Sequence, residues 1–334
     1  MNSTAKIYVA GHHGLVGSAL VRRLKTLGYG NLLLRTHQEL DLTNQDSVQE
    51  FFAEERPEYV FLAAAKVGGI LANSTYPAEF LCHNLLIQTH VIHEAFRTGV
   101  KRLLFLGSSC IYPKHAPQPM KEEYLLTGPL EPTNRPYAVA KISGIEMCWS
   151  YNREYGTRFL AAMPTSLYGP GDRYDLHDSH VVPALIRKMH EARVSGAGEV
   201  VLWGTGTPRR EFLHSDDAAD ACVFLMNLPD DRLDPVAANG HLRPIVNIGC
   251  GEDLTVRELS ELIAEVVGFK KKILFDPSKP DGTPRKLLDI TLLTGLGWEP
   301  RTPLRDGLIK TYMDFLEPRA LALETRPISA GVVS

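Results

Sequence analysis

The fold is decided close to the N-terminus, by the stretch KIYVAGHHGLVGSAL at residues 6–20. A short apolar run there leads into Gly11, Gly14 and Gly17, spaced G-x-x-G-x-x-G, and a helical pattern follows. Glycines at a strand-to-helix turn let the backbone approach a pyrophosphate, which the unpaired amides at the helix start then hold. A plain tight turn would use the same residues, but the strand before and the helix after predict a dinucleotide-binding βαβ unit.

The first half of the chain repeats this alternation of strands and helices. The predicted strands cover 6–10, 32–35, 59–64, 102–107 and 159–164. The predicted helices run to about 28, cover 46–56 and 78–97, and begin again near 137. Strands that are apolar throughout and separated by helices indicate a parallel sheet covered on both faces. We therefore expect α/β architecture, with a doubly wound Rossmann domain over 1–175.

The second half mixes shorter strands and helices after the Gly- and Pro-rich stretch LYGPGD at 167–172. Residues 216–250 are expected to return to the first domain, so the domain boundary is soft. Residues 176–317 are predicted to form a smaller α/β substrate domain. Residues 318–334 are expected to be a peripheral tail.

Composition narrows the class of protein. The 334 residues hold 36 Lys and Arg against 39 Asp and Glu, a net charge of −3, which argues against nucleic acid or an anionic membrane as partner. No stretch approaches the roughly 18 apolar residues of a membrane span, and we see no signal segment. The odd number of cysteines without a C-x-x-C pair argues against a disulfide framework or a structural metal site. We expect a cytoplasmic protein. The cysteines are Cys82, Cys110, Cys148, Cys222 and Cys250.

The end of the second strand bears on which dinucleotide binds. An acidic residue about 20 positions beyond the glycines would hold the ribose 2′-hydroxyl of NAD. The strand ends instead in Arg35, followed closely by His37, which favours the 2′-phosphate of NADP(H). Arg35 could also be an ordinary solvated charge, and Glu39 and Asp41 follow closely. The preference therefore stays open at this point.

Two further segments carry groups suited to catalysis. Tyr137 and Lys141 stand four apart in a helical pattern, which puts both side chains on one face. An ammonium beside a phenol lowers the phenol's pKa, so we expect Tyr137 to act as an acid and base near neutrality. Ser108, Ser109 and Cys110 follow an apolar strand directly. Open α/β sheets bind ligands at the carboxyl ends of their strands, so these groups are candidates for the same site.

The glycine turn, the serine after the strand and the Y-x-x-x-K spacing together resemble the extended short-chain dehydrogenase/reductase family. Within it, the resemblance is to members that epimerise and reduce GDP-4-keto-6-deoxy-D-mannose with NADPH, and it runs from about 6 to 315. The resemblance implies that the substrate is GDP-4-keto-6-deoxy-D-mannose and that the protein is a homodimer. The segments that carry it are AAAKVGGI (63–70), GSSCIYPK (107–114), EPTNRPYAVAK (131–141), WGTGTPRREFLH (203–214) and KPDGTPRKLLD (279–289).

The resemblance also implies catalytic roles. Cys110 would be the base and His180 the acid of the epimerisations, since a thiol and an imidazole both exchange protons near neutrality. Ser108 and Tyr137 would hydrogen-bond the C4 oxygen, and Lys141 would hold the nicotinamide ribose. A lone cysteine is most often a small buried hydrophobe, and we expect that of the other four.

Binding positions follow from the same resemblance. The implied cofactor-binding residues are Gly11, His12, His13, Gly14, Leu15, Val16, Gly17, Arg35, His37, Asp41, Leu42, Leu106, Gly107, Ser108, Ser109, Lys141, Pro164, Thr165, Ser166, Leu167 and His180. The implied substrate-binding residues are Lys188, Trp203, Arg210 and Asp281. Cations suit a pyrophosphate, and an indole offers a flat wall for a sugar or base.

The chain departs from the family pattern at four of these positions. His13 and His37 stand where some members have arginines, Ser166 stands where we expected asparagine, and Lys188 stands where arginine also occurs. The alternatives are another nucleotide-sugar epimerase or dehydratase of the same fold, and a non-catalytic dinucleotide sensor. Dehydratases of the fold resemble one another in an Asp-Glu pair near Ser109-Cys110, and a sensor would need no Tyr-Lys pair.

Overall fold

The computed structural model describes residues 1–175, 179–237, 243–279 and 281–317. The predicted tail at 318–334 lies outside the described residues. Within the described ranges, every helix is too short or too polar to cross a bilayer.

The first half contains the predicted alternation of strands and helices. Its strands are β1 (Ile7–Ala10), β2 (Leu32–Leu33), β3 (Tyr59–Leu62), β4 (Arg102–Leu106) and β5 (Phe159–Pro164). Its helices are α1 (Leu15–Thr26), α2 (Gln45–Glu55), α3 (Ile70–Thr75), α4 (Pro77–Arg97) and α5 (Arg135–Tyr155). The strand predicted over 32–35 is only two residues long, because it lies at the sheet edge and pairs with β1 alone. The short helix α3 was not predicted.

The second half is built from shorter strands. They are β6 (Ser166–Tyr168), β7 (Glu199–Trp203), β8 (Arg209–Arg210), β9 (Phe212–His214), β10 (Ile245–Ile248), β11 (Leu254–Thr255), β12 (Lys272–Asp276) and β13 (Arg285–Lys286). Its helices are α6 (Val181–Ser195), α7 (Ser215–Asn227), α8 (Asp230–Ala237), α9 (Val256–Val267), α10 (Thr291–Gly295) and α11 (Leu304–Leu316). Five of these strands are only two or three residues long, so they depend on their neighbours for their position.

Six strands form one sheet in the order β10-β5-β4-β3-β1-β2, and all its pairs are parallel. The chain runs from β1 outward to β2 and then returns to the other side of β1 as β3. The doubly wound α/β prediction is therefore confirmed, and the strand order reverses between β1 and β3, where folds of this class bind ligands.

Helices cover both faces of this sheet, which explains why its strands are apolar throughout. On one face α1 and α7 pack together, and Leu20 and Leu24 are completely buried there. On the other face α4 and α5 pack together over Phe52 and Phe105. Each such side chain contributes about 1.5–3 kcal/mol when fully buried.

A smaller unit packs against the carboxyl edge of the sheet. Its own core lies among α6, α9 and α11, with Phe212 and Leu259 buried inside. Helix α9 begins with a complete capping box between Thr255 and Glu258. Glu211, between β8 and β9, accepts hydrogen bonds from amides just beyond β10. The small strands β8, β11 and β13 are thereby brought to the edge where the large sheet ends.

Candidate active site

The glycine turn between β1 and α1 forms a close backbone cradle. Gly11 has a φ of +80°, and a Cβ there would lie 2.7 Å from the Ala64 nitrogen after β3. A Cβ on Gly17 would clash with the Gly11 carbonyl oxygen. Gly14 donates its N–H to that same oxygen at 2.9 Å, and α1 begins at the next residue. The amides that open α1 lack helical partners, so this cradle fits the pyrophosphate of a dinucleotide.

The two histidines of the turn lie against each other. The His12 and His13 ring centroids are 4.1 Å apart, and His13 is the more exposed of the two. Burial, followed by the charge of His13, lowers the pKa of His12 below its usual range. His12 therefore carries no charge at neutral pH, whereas its exposed neighbour faces solvent at the mouth of the turn.

Arg35 after β2 is engaged by the protein. Its guanidinium donates to Glu55 at 2.6 Å and to the Leu34 carbonyl oxygen at 3.0 Å, and it lies over the Phe51 ring. The interpretation of Arg35 as a 2′-phosphate ligand therefore requires its rearrangement and stays a prediction. His37 is exposed, with its Nδ1 3.7 Å from an Asp41 carboxylate oxygen.

Asp41 and Leu42, the other cofactor candidates after β2, are held in place locally. Partial burial opposes ionisation of Asp41, but hydrogen bonds from the Thr43 N–H and hydroxyl outweigh it and lower the pKa. The Leu42 side chain is buried, and its carbonyl oxygen lies 3.0 Å from His90 Nδ1 of α4. Both residues are therefore held by contacts within the protein.

The segment after β4 presents the serine and the cysteine together. β4 ends at Leu106, Gly107 follows, and Ser108 accepts the Cys110 N–H on its hydroxyl oxygen at 3.4 Å, which fixes the turn Ser109–Ile111. Burial raises the pKa of the Cys110 thiol, and the hydrogen bond to Ser108 opposes that rise. Cys110 is thus a buried thiol beside a hydroxyl at the carboxyl end of a central strand.

Tyr137 and Lys141 come from the start of α5. Lys141 is 3% exposed and donates from Nζ to the Leu106 carbonyl oxygen at 2.6 Å. Its Nζ lies 5.8 Å from the Tyr137 ring centroid, and Phe80 of α4 meets that ring edge-on at 6.4 Å. Tyr137, Lys141 and Cys110 are close enough for their charges to interact.

One electrostatic expectation is wrong in this geometry. Burial raises the pKa of Tyr137, and the nearby Cys110 adds to the rise, so Lys141 does not lower it. The Lys141 ammonium donates its hydrogen bond to the Leu106 carbonyl oxygen and not to the phenol. Burial also lowers the pKa of Lys141 to about 8. Tyr137 is therefore held as a neutral phenol that can donate a hydrogen bond.

His180 stands at the residue before α6, where the backbone is extended and its side chain makes no capping hydrogen bond. Protein around the ring lowers the pKa of the imidazole by desolvation, which favours its neutral form. Residues 176–178, immediately before this part of the chain, lie outside the described residues.

The segment Pro164–Leu167 joins β5 to β6 at the same edge of the sheet. Thr165 is buried. Its N–H donates to the Ile248 carbonyl oxygen at 2.9 Å, and its hydroxyl donates to the Glu211 carbonyl oxygen at 3.2 Å. Ser166 is half-buried. This segment therefore ties the cofactor side of the cleft to the smaller unit.

Three of the four substrate candidates lie in one region of the smaller unit. Trp203 ends β7 and is 66% exposed, with Lys279 over its ring. Asp281 accepts the Thr205 N–H at 2.7 Å and hydroxyl at 2.9 Å, so its carboxylate holds the turn after Trp203. Arg210 of β8 donates a hydrogen bond from one guanidinium nitrogen to the Arg209 carbonyl oxygen at 2.8 Å. Burial lowers the pKa of Arg210, and the negative charge of Asp281 opposes that change. Lys188 lies half-buried on α6.

Two residues of the cleft were missed by sequence reasoning. Lys286 lies directly opposite Arg210 where β13 pairs with β8, and its ammonium interacts with the Cys110 thiol, with Arg210 and with Glu131. Burial lowers the pKa of Lys286. Only the pairing of β8 with β13 brings it to the cysteine, and no local pattern signals that.

Glu211 is the second missed residue and is completely buried. Its carboxylate accepts the N–H groups of Cys250 at 2.7 Å, Gly251 at 2.8 Å and Leu288 at 3.0 Å. These amides belong to segments that follow β10 and β13. Glu211 therefore joins the large sheet to the strands that carry Arg210 and Lys286.

Comparisons with known proteins identify the family of this chain. A model described as the NAD dependent epimerase/dehydratase family matches residues 7–249, and the chain belongs to that family. GDP-L-fucose synthase 1 of Arabidopsis thaliana is 58% identical over 316 residues, covering 95% of this chain and 94% of that protein. GDP-L-fucose synthase of Escherichia coli (strain K12) is 52% identical, covering 94% and 98%. Within its family, the chain is thus related over nearly its full length to GDP-L-fucose synthases.

A solved structure adds a three-dimensional match. A GDP-D-glycero-L-gluco-heptose synthase from Campylobacter jejuni, determined in the presence of NADPH, superimposes with a TM-score of 0.84 at 38% identity. The match covers 94% of this chain and 98% of that one. The similarity therefore extends through both the large sheet and the smaller unit.

Proposed function

We propose that this protein catalyses the NADPH-dependent 3,5-epimerisation and 4-reduction of GDP-4-keto-6-deoxy-D-mannose to GDP-L-fucose. The observation that carries the proposal is the meeting of Cys110 with Ser108, Tyr137 and Lys141 at the carboxyl end of β4. A reductase of this fold needs only the Ser-Tyr-Lys set, whereas a buried thiol beside it supplies a base for proton exchange at carbon.

The epimerisations need a base and an acid. The 4-keto group acidifies the protons at C3 and C5, so removal of each proton leaves an enolate and its return to the opposite face inverts the carbon. Burial raises the pKa of Cys110 and lowers that of His180, so the resting pair is a thiol and a neutral imidazole. Transfer of the thiol proton to the imidazole creates the base and the acid together.

Ser108 and Tyr137 would stabilise the negative charge that develops on the C4 oxygen. Burial keeps Tyr137 protonated, so both side chains can donate hydrogen bonds to the enolate oxygen. NADPH supplies, when bound, the hydride that reduces C4. Tyr137 then gives its proton to the resulting alkoxide, and Lys141, anchored on Leu106, offers its remaining hydrogens to the ribose and the phenolate.

The nucleotide part of the substrate would bind to the smaller unit. Arg210 has guanidinium nitrogens left over after its bond to the Arg209 carbonyl, so it can grip a diphosphate, with Lys188 adding charge. Trp203 exposes most of its indole and can stack against a flat ring. Asp281 would act by keeping the turn after Trp203 in place.

The protein is further proposed to be a cytoplasmic homodimer. Helices α4 and α5 pack side by side and leave Leu86 and Val139 exposed on their outer surface, and Tyr155 ends that surface. A second copy would cover these apolar groups. All five cysteines are free thiols, as a reducing compartment requires. Sedimentation showing only monomer would contradict the dimer.

The first test is NADPH oxidation with GDP-4-keto-6-deoxy-D-mannose and, in parallel, with its dTDP-linked counterpart, with the sugar product identified by NMR. Oxidation with the GDP-sugar alone, yielding GDP-L-fucose, is expected. If NADPH is oxidised but the product is the 4-reduced sugar without epimerisation, the protein is a reductase that does not catalyse the epimerisations. Tight dinucleotide binding without any turnover would point to a sensor instead.

A further inference from the structure

One buried asparagine joins three segments of the chain. Asn247 lies in β10 and is completely buried. Its side-chain amide has three hydrogen-bonding partners, and each partner belongs to a different segment: Tyr112, Met120 and Asp289. Loss of any of these bonds would leave a buried polar atom without a partner. The amide therefore holds the three segments in one arrangement.

The first segment is the turn that carries Cys110. The turn covers Ser109–Ile111, and Tyr112 follows it directly. The buried Tyr112 hydroxyl donates to Asn247 Oδ1 at 2.5 Å. Tyr112 thus fixes the end of this turn, whereas the hydrogen bond to the Ser108 hydroxyl fixes its start.

The second segment passes through Met120 and pairs with the third. Asn247 Nδ2 donates to the Met120 carbonyl oxygen at 2.9 Å, and the Asn247 N–H donates to Glu122 Oε1 at 3.0 Å. The Met120 N–H donates to the Leu287 carbonyl oxygen at 2.8 Å. The Asp289 N–H donates back to the Met120 carbonyl oxygen at 2.8 Å. The two segments therefore form one small parallel bridge.

The third segment carries Lys286. Asn247 Nδ2 also donates to the Asp289 carbonyl oxygen at 3.0 Å. Lys286 ends β13, three residues before Asp289. The Lys286 ammonium interacts with the Cys110 thiol. The backbone on each side of this interaction is thus tied to the same amide.

We propose that Asn247 is a positioning residue, which holds Cys110 close to Lys286. Tyr112 is the link through which it acts on the thiol. The inference rests on the proposed function, since it concerns the same epimerisations. An ammonium near a thiol favours the thiolate, which is the form that can remove a proton from carbon. This attraction falls with distance, so a turn released from Asn247 loses part of it.

The groups proposed for hydride transfer have other anchors. Lys141 donates to the Leu106 carbonyl oxygen at the end of β4, and Tyr137 lies on α5. Loss of the link to Asn247 should therefore slow proton exchange at C3 and C5 more than hydride transfer at C4. A residue that only stabilises the fold would instead lower both rates equally, because less of the enzyme would be folded.

The test is Tyr112→Phe, which removes the hydroxyl and keeps the ring. NMR follows the exchange of solvent deuterium into C3 and C5 of GDP-4-keto-6-deoxy-D-mannose, with NADP⁺ in place of NADPH. Exchange should slow by about tenfold, as a rise of about one unit in the thiol pKa would give. Hydride transfer is measured alone as the initial rate of NADP⁺ reduction by GDP-L-fucose, which needs no epimerisation. That rate should stay within about twofold.

Tyr29→Phe is the matched control. It removes another tyrosine–asparagine hydrogen bond, from the Tyr29 hydroxyl to Asn227 Oδ1 at 2.9 Å, beyond the far end of α1. Both rates should stay at the wild-type value in this variant. Equal losses of exchange and of NADP⁺ reduction in Tyr112→Phe would overturn the inference.

The double variant Tyr112→Phe, Lys286→Met shows whether Tyr112 acts through the lysine. If it does, adding Tyr112→Phe to Lys286→Met should slow exchange by no more than about twofold, because the interaction is already lost. Independent effects, which together slow exchange by about 100-fold, would overturn the inference. No exchange by the unaltered protein would contradict the proposed function itself, and the inference would fall with it.

Asn247→Asp keeps the proposal testable if Tyr112→Phe does not fold. A buried carboxyl is protonated, so it retains one acceptor oxygen and one donor and loses the second donor. This variant should show the same selective loss of exchange. An equal loss of exchange and NADP⁺ reduction would count against the positioning role here too.

Discussion

The two sides of the cleft are built differently. On the cofactor side, each functional segment follows a long buried strand or opens a long helix, as Ser108 follows β4 and Tyr137 begins α5. On the sugar side, Arg210 and Lys286 lie on strands of two residues, paired with each other. We thus propose that the catalytic residues are positioned by the large sheet and its helices, and that the substrate-binding residues are positioned by short strands.

Because of this difference, the position of the short strands depends on the junction between the two sides, which we define as Glu211 and the amides that it binds. Short strands have little stability of their own, so their position depends on tertiary contacts. Glu211 supplies three of these contacts from a fully buried carboxylate. Substitutions on the cofactor side should therefore change chemical steps, and substitutions at the junction should change stability and substrate binding together.

The largest effect is expected on the cofactor side, from Tyr137→Phe. Loss of the phenol removes the proton donor for C4 reduction, so hydride transfer should slow by about 10²–10⁴-fold. The Kd for NADPH should stay within about twofold, because the ring and its contact with Phe80 remain. Single-turnover NADPH oxidation measures the first, and fluorescence titration the second. Tyr155→Phe, at the exposed end of α5, is the matched control, and a fully active Tyr137→Phe enzyme would refute the role.

Cys110→Ser tests the same side at a different step. A hydroxyl is a much weaker acid than a thiol, so serine is a poor base at neutral pH, and exchange of solvent deuterium into C3 and C5 should slow by about 10²-fold. NMR of the sugar measures the exchange. Cys82→Ser, which changes an exposed thiol on α4, should leave it unaltered. Wild-type exchange in the Cys110 variant would remove this residue from the mechanism.

Glu211→Gln sharpens the comparison at the junction. The amide group presents donors to backbone N–H groups that are already donors, so we expect unfolding free energy to fall by about 1–3 kcal/mol. The KM for the GDP-sugar should rise more than kcat falls, because β8 and β13 lose their anchor. Urea denaturation and steady-state kinetics measure these effects, with exposed Glu261→Gln as control. An unchanged unfolding free energy would show that the junction does not depend on this carboxylate.

The smallest effect is expected from Lys286→Met. The lysine ammonium opposes the rise in the pKa of Cys110, so its removal should raise that pKa further. The base is the thiolate, so the rising limb of the pH profile for deuterium exchange should move to higher pH, with about tenfold slower exchange near pH 7. Lys270→Met, on an exposed loop, controls for loss of charge. A profile that does not move, with a raised KM alone, would assign Lys286 to the substrate phosphates.

The sequence predicted the parallel sheet and the glycine turn correctly because their signals are local. Gly11 and Gly17 stand where a Cβ would clash, and apolar strands with helices between them determine the parallel sheet. The role of Lys286 could not be predicted, because a two-residue strand is placed by its partners. The ion pair of Arg35 could not be predicted either, because only the packing of α2 brings Glu55 to its guanidinium. The site roles themselves, that of His180 above all, remain predictions from resemblance.

The sixth strand of the large sheet has a consequence for how the chain is made. β10 pairs with β5, and the whole of β7, β8 and α6 lies between them in the chain. A nascent chain that has not yet reached Ile245 exposes the outer edge of β5, and open strand edges pair readily with other chains. The segments that carry Lys188, Trp203 and Arg210 are thus synthesised before the large sheet is complete, and β13, which pairs with β8, is synthesised after it. Neither half of the molecule is therefore finished before synthesis of the other has begun.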